Sequence, residues 1–173
     1  MKIRFFLILI VLFLSRSLQA TSLLIPMDNS QKNHLKAYGI TFWILTNNEE
    51  AEWLLNYRGG SFLCGYSKTI QEECNIRGVS VEVISDAQAA SIRAEIADPA
   101  VNMDIIKLSK APKVAVYAPK TNLPWDDAVT LVLTYAEIPY EQIYDEEVLR
   151  GDLPKYDWLH LHHEDFTGQY GKF

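Results

Sequence analysis

The run His160-Leu161-His162-His163-Glu164-Asp165 sets three imidazoles beside two carboxylates within six residues. On a strand, His160 and His162 project to one face and His163 to the other. A His-x-His pair can chelate a divalent metal through two imidazoles, with Glu164 or Asp165 as a further ligand. The same groups can pass protons as acid and base or hydrogen-bond a small polar ligand. They can also be structural, with histidines satisfied at a strand end and solvated acids in the loop beyond. We identify His162, His163, Glu164 and Asp165 as candidate binding residues, His160 being the one most readily buried. Metal is the lesser alternative, no cofactor is expected and no catalytic residue is assigned.

Other stretches offer less. Arg58-Gly59-Gly60-Ser61 can cradle an anion with its backbone amides, although Gly-Gly more commonly makes a hairpin turn. Trp125-Asp126-Asp127 puts acids at the positive end of an expected helix, where they serve first as caps. Thr21 would be an N-terminal nucleophile after cleavage behind Ala20, but no neighbouring residue supplies the base it needs. Cys64 and Cys74 lack metal-ligand spacing. Cys74 lies four residues after Ile70 on an expected helix face, which favours buried thiols over a disulfide.

The elements that must position these residues form an α/β pattern. Ser22 to Pro26 reads as a strand. Asp28, Asn29 or Ser30 then caps a helix through Tyr38, closed by Gly39. Ile40 to Leu45, Glu52 to Tyr57 and Ser61 to Cys64 read as strands. Ser67 caps a helix ending at Gly78, and Val79, Val81 and Val83 alternate as a strand. Ser85 or Asp86 caps a helix through Ala97. Asp98 to Pro112 is broken by Pro99, Asn102 and Pro112 and reads as a join. Val114 to Tyr117 is a strand, followed by a helix with the expected inner stripe Ala128, Leu131, Val132 and Tyr135. Val129 and Leu133 make that helix apolar nearly all round, which predicts deep burial. Glu141 to Tyr144 and Asp157 to His162 are the next strands. Strand, helix, strand, strand is the opening of a parallel, doubly wound, Rossmann-like sheet. Such sheets usually hold about five strands, so the sequence is expected to be the N-terminal part of a longer protein.

The first twenty residues read as a signal peptide. Lys2 and Arg4 precede the apolar run Phe5 to Leu14, and a polar tail ends on Ala20, the order that export machinery recognises. The apolar run has ten residues, half of what a spanning helix requires. No Cys follows it, so the signal is not that of a lipoprotein. The mature chain is expected to start near Thr21, in the periplasm or at the cell surface. The formal charge is −6, and losing Lys2, Arg4 and Arg16 leaves 13 basic against 22 acidic residues, a net charge of −9. That balance argues against nucleic acid as a partner. No later run is long enough to span a bilayer.

The second half resembles the opening of class I glutamine-amidotransferase-like domains, on Ile138-Pro139-Tyr140, Asp145 to Leu149 and Tyr156-Asp157-Trp158-Leu159. Nearly all of 22–173 is similar to exported bacterial proteins commonly labelled asparagine synthetase B. That similarity is carried by Leu24-Ile25-Pro26-Met27-Asp28, by the run from Trp53 to Phe62 and by the run from Leu159 to Gly168. The chain thus divides into a signal peptide over 1–20, an N-terminal α/β unit over 21–98, a linker over 99–112 and a segment over 113–173 that the resemblance implies to be the start of an amidotransferase-like domain. The resemblance further implies amidotransferase-like or hydrolase chemistry on an amide or polar small molecule, with a nucleophile beyond Phe173. ATP-dependent asparagine synthesis does not carry over: Lys2 replaces the Cys that follows the initiator Met, and no Ser-Gly-Gly-x-Asp-Ser run occurs. The alternative is a non-catalytic binding or surface-assembly module of the cell envelope.

Overall fold

The computed structural model describes residues 20–119 and 128–161. The first body of secondary structure is built on a five-stranded antiparallel sheet of β1 (Ala20–Ile25), β2 (Ala51–Leu55), β3 (Phe62–Gly65), β4 (Glu82–Ser85) and β5 (Asp104–Leu108), in the order β4-β1-β3-β2-β5. Alternation along β1 divides its side chains between two cores. Leu23 and Ile25 face α1 (His34–Thr46) and α2 (Lys68–Ile76), packing with Ile40, Ile44, Ile70 and Cys74. Leu24 faces the other way, onto Ala89, Ile92 and Ile96 of α3 (Asp86–Ile96). Ser85 opens α3 with a capping box, its hydroxyl accepting from the Gln88 N–H while Gln88 returns to the Ser85 N–H.

Helix α1 corrects the sequence reading. Its cap is Asn33, whose side chain accepts from the Lys36 N–H at 3.1 Å, not a residue of Asp28 to Ser30. The helix then runs thirteen residues, through Gly39 and through Ile40 to Leu45, the stretch expected to be a strand. Gly39 does not end it. A Cβ there would lie 1.8 Å from the Ala136 carbonyl oxygen, so the glycine serves close helix–helix approach. Helix α1 buries apolar residues against the sheet and also touches the second body, which explains why its sequence is apolar without a clear stripe.

The stretch from Asp98 to Pro112 also differs from expectation, since it holds β5, the partner of β2 at the sheet edge. Asp104 and Lys107 are exposed on that edge and dilute its apolar signal.

The second body is a parallel sheet of β6 (Val114–Tyr117), β7 (Tyr140–Ile143) and β8 (Trp158–Leu161), in the order β7-β6-β8. Helix α4 (Ala128–Ala136) connects β6 to β7, and the short α5 (Asp145–Leu149) follows β7. The α/β class read from the sequence holds. The stripe assigned to α4 does not: Thr130, Leu133 and Ala136 are buried, while Leu131, Val132 and Tyr135 are 39–49% exposed. A helix apolar on every side carries no phase of its own. Contact of Leu133 with β6 and of Ala136 with Gly39 sets it. Polar contacts close the same joint. Glu137 pairs with Lys36 and, at 3.0 Å, with Arg77, and the Asn33 amide donates to the Tyr135 hydroxyl at 2.7 Å.

Candidate functional site

In the order β7-β6-β8 the first parallel strand lies between the second and the third. The chain leaves β6 toward β7 and then crosses back to β8 on the other side, so the carboxyl ends of β6 and β8 lie side by side, at the edge where open α/β sheets bind ligands. Tyr117, the last residue of β6, pairs in register with Leu161, the last of β8. The Tyr117 hydroxyl donates to Asp145 Oδ1 at 2.5 Å, and its ring lies 5.1 Å from that of Tyr144. Gln142 donates to the Pro119 carbonyl at 3.1 Å and holds the loop beyond β6 against β7. These side chains leave a tyrosine-walled edge with one carboxylate fixed on it.

Half-buried His160 pairs with Val116 within β8. His162, His163, Glu164 and Asp165 follow Leu161 in the chain and lie outside the described residues, as does Trp125-Asp126-Asp127. Tyr117 and Asp145 were missed by the sequence reading. Both stand where a parallel strand gives way to its loop, and that position was the available signal.

The remaining candidates resolve. The segment Arg58 to Ser61 is the turn between β2 and β3. The Gly60 and Ser61 amides both donate to the Tyr57 carbonyl at 3.0 Å. The Arg58 guanidinium reaches Asp28 at 2.6 Å and Glu82 at 2.9 and 3.0 Å. Donors and charge are thus matched within the chain, and no anion cradle is left. The Thr21 hydroxyl is buried on β1 with no hydrogen-bond partner, so nothing activates it. Cys64 and Cys74 are buried free thiols, as expected, and burial pushes them up to about 12 and about 11, which keeps them protonated and unreactive. Among the described residues, no group of three or more His, Cys, Asp or Glu is placed to hold a metal ion. Nor is any described helix long and apolar enough to cross a membrane.

The opposite, amino edge of the parallel sheet carries a cleft of about 480 Å³ against α1. Its charged wall comes from residues in or just before the three strands, with Lys113 beside Glu141 at 3.2 Å and Lys110 beside Asp157 at 3.1 Å. The Tyr156 hydroxyl donates to Glu141 Oε2 at 2.6 Å, and this bond pushes the phenol up to about 12.

No protein-family model, curated protein or solved structure matches the chain. The site is therefore read from its chemistry alone.

Proposed function

We propose that this protein is exported to the periplasm or cell surface and binds a small, polar, amide-bearing molecule at the carboxyl edge of its parallel sheet. In this reading it is kin to the exported proteins labelled asparagine synthetase B, and the second body is an amidotransferase-like, Rossmann-like sheet. The observation that supports the reading is the strand order β7-β6-β8, which sets the carboxyl ends of parallel β6 and β8 side by side, the edge at which open α/β sheets bind ligands. The run His162-His163-Glu164-Asp165 continues directly from β8. Its imidazoles and carboxylates offer donors and acceptors suited to an amide with both N–H and C=O groups.

Thermal-shift measurements with glutamine, asparagine and their parent acids test the binding. A concentration-dependent rise in Tm with an amide is expected. It should disappear in His162→Ala and His163→Ala while their own Tm stays unchanged. No rise with any of the four compounds would sink the proposal. Export is tested separately by N-terminal sequencing of cell-made protein, with a start within a few residues of Thr21 expected and an intact Met1 on a cytosolic product contradicting it.

The second reading, a non-catalytic envelope module, has one observation in its favour. Tyr38, Trp53 and Phe62 line an apolar hollow of about 270 Å³ beside the β2–β3 hairpin. Turnover of a bound amide would exclude that reading.

A further inference from the structure

The amino-edge cleft is separate from the carboxyl-edge site proposed above and does not depend on it. Its volume of about 480 Å³ falls within the roughly 300–1,000 Å³ of small-molecule pockets. Phe42, Pro112, Val114 and Pro139 give it an apolar floor. Its two carboxylates are anchored. Tyr156 donates to Glu141 at 2.6 Å, and the Lys113 backbone N–H donates to Asp157 at 2.8 Å. Those hydrogen bonds, with help from the nearby lysines, hold both carboxyls below their usual range, so they stay charged.

The cations opposite them stand on long flexible stems. Lys110 is 74% exposed and Lys113 51% exposed, the latter 5.0 Å over the Tyr156 ring, while a third lysine of the lining, Lys155, pairs with Asp152 instead. Exposed pairs of this kind contribute little, so their ammonium groups exchange readily. Fixed carboxylates, displaceable ammoniums and an apolar floor together fit one kind of ligand. A simple anion would meet the anchored acids. A simple cation would leave both lysines without a counter-charge. A zwitterion with an apolar body satisfies both signs.

We propose that this cleft binds a free α-amino acid with an apolar side chain. The ligand's ammonium takes the place of the lysines on Glu141 and Asp157, and its carboxylate is met by the displaced Lys110 and Lys113. The side chain rests on Phe42 and Pro112. Phe42, Lys110 and Pro112 also line the hollow that holds Tyr38, Trp53 and Phe62, which gives a long or aromatic side chain room to extend.

Isothermal titration calorimetry on the full chain with L-leucine and L-phenylalanine tests this. Saturable one-to-one binding is expected. As blocked forms without an amide, 4-methylpentanoate lacks the ammonium of L-leucine and 3-methylbutylamine lacks its carboxylate. Each should bind about tenfold more weakly or worse, the loss of one charge-assisted contact. Glu141→Gln and Asp157→Asn keep an acceptor for Tyr156 and for the Lys113 N–H, and should weaken L-leucine to a similar degree. His162→Ala and His163→Ala should leave L-leucine binding unchanged, which separates this site from the carboxyl edge. Absence of binding by both amino acids overturns the proposal, as does equal affinity for the blocked forms. Should a cleft variant fail to fold, the blocked ligands still decide on the unaltered chain.

Discussion

Arg58 holds a left-handed backbone at φ 44° and ψ 50°, a conformation that usually favours glycine. Its side chain stabilises that turn by joining Asp28, on the loop after β1, to Glu82 on β4. The Arg58-Gly59-Gly60 turn was legible in the sequence because glycines mark it. Its partners were not, because Asp28 and Glu82 lie 30 and 24 residues away. Truncation to Ala removes the guanidinium and keeps the strained backbone, whereas truncation to Gly removes both. Arg58→Gly is therefore expected to be about 1 kcal/mol more stable than Arg58→Ala, the reverse of the usual order; urea midpoints of the two variants check this. Arg58 also holds the Asp28 carboxyl well below the usual range, with help from Ser30. A carboxyl lowered by folding contributes stability above its unfolded value of about 3.9, and loses it as pH falls through the folded value. Asp28→Asn should consequently lose less Tm than the parent between about pH 4 and pH 2. Parallel acid limbs would show that the pair adds nothing to folding.

Whole elements were legible where local chemistry marked their ends. Ser85 with Gln88 announces α3, and the short apolar run Val114 to Tyr117 announces β6. They were illegible where a distant contact decides. Gly39 resembles a helix stop, yet its role depends on Ala136, which the sequence places far away. The face of α4 depends on the same contact, and β5 owes its place to pairing with β2. This gives a sharp expectation for α1. In an exposed helix interior, Gly→Ala gains up to about 1 kcal/mol. Here the new methyl would sit 1.8 Å from the Ala136 carbonyl oxygen and must push α4 away. Gly39→Ala should instead cost about 1 to 3 kcal/mol, the range for overpacking. Urea denaturation measures the cost, and a gain in stability would mean that the two helices do not meet as described.

For the molecule as a whole, the α/β class and the parallel second sheet follow from the order of strands and helices. The proposed carboxyl-edge site was legible as far as its strand ends, which the sequence marks. The amino-edge cleft was not, because Lys113, Glu141 and Asp157 come together only when three separated strands align. The two bodies also differ in how much core supports them. The antiparallel sheet is covered on both faces, with Leu23, Ile25, Ile40 and Ile44 on one side and Leu24, Leu54, Leu63 and Ile92 on the other. Among the described residues, the parallel sheet's buried cluster is Val114, Val116, Ala118 and Leu133. Each of its strands has four residues, and both β7 and β8 are edges within the three-stranded sheet. Local opening is least costly where few buried apolar contacts hold the ladder. Amides of β7 and β8 should therefore exchange with solvent through local opening, well before those of β1 and β3, which exchange only with global unfolding. Native-state hydrogen exchange at a series of low urea concentrations separates the two cases: β1 and β3 should show the full urea dependence of unfolding, and β7 and β8 little of it. Equal protection and equal urea dependence across all four strands would mean that the joint at Gly39, Ala136 and Glu137 couples the bodies into one cooperative unit.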